Sequence, residues 1–99
     1  EHNMQRLDEM ALQVYQKGHI PVIGEWLALP LASAAGSQKI GDEISEAFLY
    51  PVAHRLIQRC DAILRMPGAS TGADKDVQVG QALGLSIFSD IDEIPESHV

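Results

Sequence analysis

The sequence predicts an α/β layer fold built around a parallel sheet, and three observations carry that prediction. Residues 60–88, CDAILRMPGASTGADKDVQVGQALGLSIF, read as a strand, a Pro/Gly/Ser loop, a helix and a second strand. Helical periodicity and short apolar runs alternate along the rest of the chain, as they do in βα units. The apolar fraction, 45% of 99 residues, suits one globular domain, residues 1–99, ending in an acidic tail over 90–99.

Met4, Leu7, Met10, Ala11 and Val14 recur at three- and four-residue intervals, which predicts an amphipathic helix closed by Gly18. His19 to Ile23 reads as a short strand, confined to an edge because Pro21 has no N–H. Gly24 to Lys39, with Trp26, Pro30 and the small-residue run 32–37, reads as a long connection. Ile40 to Arg59 is helical in pattern, and Pro51 predicts a break with a second helix starting there. Ala62 to Leu64 is a strand covered on both faces, Asp74 to Leu83 a helix ended by Gly84, and Leu85 to Phe88 the next strand. Three strands make a meagre sheet. The chain opens on Glu1 and runs straight into a helix, so a strand ahead of that helix is the expected missing piece.

Net charge is −7, and Asp90, Asp92, Glu93 and Glu96 crowd a segment without Lys or Arg. That excludes a nucleic-acid polymer as the expected partner, since phosphate binding needs clustered cations. The acidic end reads as a solvated tail. A lone Cys60 forms no internal disulfide and suits a reduced, cytoplasmic protein. No run approaches the length of a membrane span. The histidines His2, His19, His54 and His98 lack ligand spacing and read as surface or capping residues, so neither a metal nor a cofactor is expected. Gly68 and Gly72 have neither the spacing nor the Lys of a phosphate loop.

Chemistry concentrates at the strand-to-helix junction, the usual ligand position in parallel α/β folds. Thr71 to Asp74 has the S/T-x-x-D form of a helix start. Asp76 lies one turn in, where the positive helix end keeps a carboxylate ionised, and Gly80 leaves room beside it. An ionised carboxylate next to open space suits a covalent nucleophile. Arg65, at the strand's carboxyl end, either clamps a phosphate or pairs with Asp61 or Asp74. Trp26 and Tyr50 either stack on a base or fill a core edge, and Cys60 is expected to lie buried beside the strand.

The run Ser70-Thr71-Gly72-Ala73-Asp74-Lys75-Asp76, continued through Gly80 to Gly84, resembles the D-S-G-T-x-x-E-x-G stretch of nucleoside 2-deoxyribosyltransferases. With Cys60-Asp61-Ala62-Ile63-Leu64-Arg65-Met66-Pro67-Gly68 ahead of it, it is similar to their small bacterial relatives of uncharacterised function. The resemblance implies a flavodoxin-like, three-layer fold whose five-stranded parallel sheet has its first strand central, the strand missing here. It implies a nucleoside or nucleotide ligand, with transfer or cleavage at an N-glycosidic bond. Asp76 takes the place of the nucleophilic glutamate, one methylene shorter, and Asp61 that of an acid lining the site. Arg65, Ser70, Gly72, Asp74 and Trp26 fall on the substrate side, with Ser70 where the transferases carry a second carboxylate. The family's habit implies a homo-oligomer. The competing expectation is a non-catalytic nucleotide-binding or structural oligomeric domain.

Overall fold

A computed structural model describes residues 4–68 and 70–97; His2 and His98 lie outside them. Helix α1 (Met4–Gln16) follows the apolar spacing: Ala11 is buried and Leu7, Met10 and Val14 half-buried, while Leu12 and Tyr15 face outward. Gly18 closes it at φ 94°, and a Cβ there would collide with the Ser97 carbonyl. Only glycine meets both demands.

The strand expected over 19–23 is not formed. Those residues are irregular, and Ile23, though extended, serves as the cap residue of the next helix. Pro21 has no N–H to offer a ladder, and no other described strand lies alongside.

The long connection expected over 24–39 is overturned as well. Gly24–Ala34 is a helix, α2, with Pro30 inside it. Ala28 and Ala32, one turn apart, are fully buried, and α2 makes the molecule's most extensive contact with α3 (Glu43–Ile57). The small residues let the two helices approach closely: a Cβ on Gly24 would lie 3.5 Å from that of Ala53. Proline forfeits one ladder bond, and helix-on-helix burial outweighs it.

The break expected at Pro51 is absent for the same reason; α3 is continuous and Pro51 is exposed on it. Its start is strongly fixed. Asp42 Oδ1 accepts from the Ser45 N–H at 2.9 Å and the Ser37 hydroxyl at 2.7 Å. Its Oδ2 accepts from the N–H groups of Gln38 at 2.9 Å and Lys39 at 3.3 Å. Glu43 and Glu46 occupy the first turn and His54 and Arg55 the last, complementing the helix dipole.

Strands β1 (Ala62–Leu64) and β2 (Ser86–Phe88) pair in parallel, Ile63 opposite Ile87, with α4 (Thr71–Ala82) as the crossover. The sheet among the described residues has these two strands rather than three. Ile63 and Ile87 meet α4 at Gly80, where a Cβ would clash with the Ile63 methyl. The space expected beside Gly80 is therefore filled by the sheet. Alternation turns Leu64 to the opposite face, where it lines a cleft together with Met10 of α1. Gly84, at φ 77°, follows α4 as expected.

The acidic end is anchored rather than a free tail. A 3₁₀ turn, Ile91–Glu93, leads to the buried Ile94. Lys17 Nζ donates to the Ile94 carbonyl at 2.8 Å, His19 Nε2 to that of Pro95 at 2.6 Å, and the Ser97 N–H to Lys17 O at 2.7 Å. The four carboxylates themselves remain exposed. Among the described residues no helix is long and apolar enough to cross a membrane.

Candidate functional site

Where β1 ends, the chain ties itself into a knot around Arg65. Its Nη2 donates to the Gly68 carbonyl at 2.8 Å and to Asp74 Oδ1 at 3.1 Å, and its Nη1 donates to Met66 O. Of the two expectations for Arg65, the structure shows the pairing with Asp74. Ser70, not Thr71, is the cap residue: its backbone is extended and its hydroxyl accepts from the Ala73 N–H at 3.1 Å. Arg65, Ser70 and Asp74 thus fix the loop and the start of α4. The Asp74 side chain, 66% exposed, leaves its other edge open to solvent.

Because α4 starts at Thr71, three residues earlier than expected, Asp76 falls in its second turn, beyond the strongest field of the helix end. There it faces α3. Asp76 Oδ1 lies 3.6 Å from His54 Nε2, within ion-pair range, and both atoms are buried without a hydrogen-bond partner. The Asp76 side chain as a whole is 31% exposed, so its accessibility falls on its remaining atoms. Burial pushes its carboxyl above the ordinary carboxylate range; His54 pulls it back and Glu25 on α2 raises it further. Here desolvation wins, against the sequence expectation of a helix-stabilised anion.

The same face carries Tyr50, one turn before His54, with ring centroids 6.1 Å apart. Lys75 Nζ sits 4.7 Å above the Tyr50 ring, a cation–π contact. This ring lies against α4 at Gly72, where a Cβ would make an ordinary van der Waals contact with it at 3.6 Å. Three helices thus converge: Glu25 from α2, Tyr50 and His54 from α3, and Gly72, Lys75 and Asp76 from α4.

The other predicted residues lie elsewhere. Asp61 precedes β1, at the strand end away from Arg65, and is exposed. Trp26, 41% exposed, donates from Nε1 to Asp8 Oδ1 at 2.9 Å and so braces α2 against α1. Cys60 is half-buried, its thiol donating to Leu56 O at 3.3 Å. Burial and then the charge of Asp61 push that thiol up, away from thiolate reactivity. A mostly apolar cleft of about 150 Å³ opens at the carboxyl ends of both strands, between Met10, Leu64, Met66 and Ile91.

His54 is the residue that sequence reading missed. Twenty-two positions and no motif separate it from Asp76. The available signal was its place one turn after Tyr50, which puts two polar rings on one face of the helix. Among the described residues, no three His, Cys, Asp or Glu side chains are placed to hold a metal ion. Comparison with family models, curated proteins and solved structures finds no match to this chain.

Proposed function

We propose that this domain binds a nucleoside or nucleotide in the cytoplasm and cleaves or transfers at its N-glycosidic bond, with Asp76 as nucleophile. The observation carrying this reading is the state of Asp76. One carboxylate oxygen is buried against His54 without a hydrogen-bond partner among the described residues, and the side chain keeps an open side. Purely structural carboxylates such as Asp42 look different, with every oxygen engaged. The parallel β1–α4–β2 unit supports a flavodoxin-like, three-layer architecture.

In the reaction, a carboxylate oxygen of Asp76 forms a bond to C1′ as the C1′–N bond breaks. The base leaves with the bonding pair and takes up a proton from solvent. Water or a second base then attacks C1′ and releases Asp76, so two inversions give net retention. Incubating the protein with 2′-deoxynucleosides and nucleoside monophosphates should release free base, and Asp76→Asn should abolish it. Full release by the Asn variant overturns the assignment.

A second reading is favoured by the junction itself: Arg65, Ser70 and Asp74 engage one another and the loop rather than standing open. On that reading the domain binds its nucleotide without chemistry. Thermal stabilisation by a nucleoside monophosphate with no base released selects it.

We also propose a homo-oligomer, because Leu12, Tyr15, Val22, Leu27 and Leu31 are each about half exposed and Ile20 is 81% exposed. The buried apolar set among the described residues is small: Ala11, Ala28, Ala32, Ile57 and Ile94. So thin a core gains from assembly.

A further inference from the structure

We propose that His54 is the positioning residue for Asp76, its Nε2–H closing onto Oδ1 so that the other carboxylate oxygen is aimed at the ligand. This deepens the glycosidic reading and rests on it for its catalytic consequence, while the positioning itself stands on geometry alone. The two atoms face each other at 3.6 Å, both out of contact with water and both without another hydrogen-bond partner. A buried unpaired acceptor and a buried unpaired donor each carry a desolvation cost, and each removes the other's by closing well under one ångström to a normal N–H···O distance. Active-site hydrogen bonds of this kind are often long in the free protein and tighten when the site fills.

The surroundings leave His54 as the partner. Glu25, facing from α2, is an acid and cannot donate to a carboxylate while ionised. Lys75, next to Asp76 in the chain, is drawn over the Tyr50 ring. Tyr50 lies obliquely beside the imidazole, with ring centroids 6.1 Å apart, and its ring is already engaged by Lys75. His54 also offsets the two influences that push the Asp76 carboxyl upward, burial and Glu25. Its role is therefore double: it orients the carboxylate, and it keeps it ionised at a pH where a buried acid beside another acid would begin to hold its proton.

The test compares the whole wild-type chain with His54→Phe and His54→Gln by following the Asp76 side-chain carboxyl with ¹³C NMR through a pH titration. His54→Phe should move the Asp76 transition to higher pH. His54→Gln, which keeps an N–H but cannot become charged, should fall between the two. A transition that stays in place in both folded variants overturns the inference, and if His54→Phe does not fold, the Gln variant decides it. In base-release assays His54→Phe should lower kcat about 100-fold with KM little changed, and His54→Gln should restore much of it. Wild-type protein that releases no base from any nucleoside removes the glycosidic reading, and the titration still decides whether His54 governs Asp76.

Discussion

Two carboxylates of this chain sit at opposite extremes. Asp42 is held far below the ordinary carboxylate range, first by the Ser45 N–H, then by the Ser37 hydroxyl and the Gln38 N–H. Its stabilisation is fully present above the unfolded value near pH 4 and is lost as pH falls further toward its folded value. Asp42→Ala should therefore lower the melting temperature at pH 7 and flatten the acid side of the stability profile, read by thermal scans between pH 2.5 and pH 7. Asp76 has the reverse sign. Its folded form holds the proton more tightly than the unfolded chain, so its ionisation costs stability as pH rises from about 4 through its raised value. Asp76→Asn should melt at or above the wild-type temperature at pH 7 while losing base release. A lower melting point would mark Asp76 as a structural residue. That Asp76 lies on the helix after β1 was legible from the local pattern. Its environment was not, because burial by α3 belongs to tertiary packing and leaves no trace in local spacing.

At the scale of elements, legibility tracked locality. The β1–α4–β2 unit and α1 follow from periodicity, glycine stops and capping hydroxyls close by in the chain. Helix α2 did not follow, and neither did the continuity of α3. Pro30 and Pro51 read as breaks, since an interior proline costs about 3 kcal/mol, yet burial of Ala28 and Ala32 between the helices outweighs that signal. The cap moved by one residue, and Ser70→Ala should cost about 1 kcal/mol in urea denaturation. The Gly80 contact allows a sharper test. Gly80→Ala gains up to about 1 kcal/mol of helix propensity but drives a methyl against Ile63, so alone it should be neutral or destabilising. Ile63→Val removes the obstructing methyl. The double variant should exceed the sum of the singles by about 0.5–1 kcal/mol; strict additivity would show that α4 and the sheet do not meet at Gly80.

For the whole molecule, exposed surface is the outstanding quantity. The chain exposes 6823 Å², where a folded monomer of its mass exposes about 5,500 Å². Its radius of gyration is 13.7 Å and its longest extent 41 Å. Leu27 and Leu31, one turn apart on α2, present apolar surface beside the buried Ala28–Ala32 stripe. Sedimentation equilibrium should return a multiple of 10.8 kDa, and the Leu27→Glu/Leu31→Glu pair should return the single-chain mass. A monomeric wild type at tens of micromolar would remove the oligomer proposal.

The anchoring of the acidic segment bears on the order in which the chain folds. The largest contact of α1 is with the 3₁₀ turn at Ile91–Glu93, and Lys17 reaches a carbonyl 77 positions further on. The α2–α3 pair and the β1–α4–β2 unit find their partners close by in the chain. During synthesis those two units can form early, while α1, made ahead of them, waits with the face around Ala11 uncovered until Ile94 to Ser97 have emerged. Helix α1, though ahead of the other described elements in the chain, is the last of them to be seated, and the acidic segment is the latch that seats it.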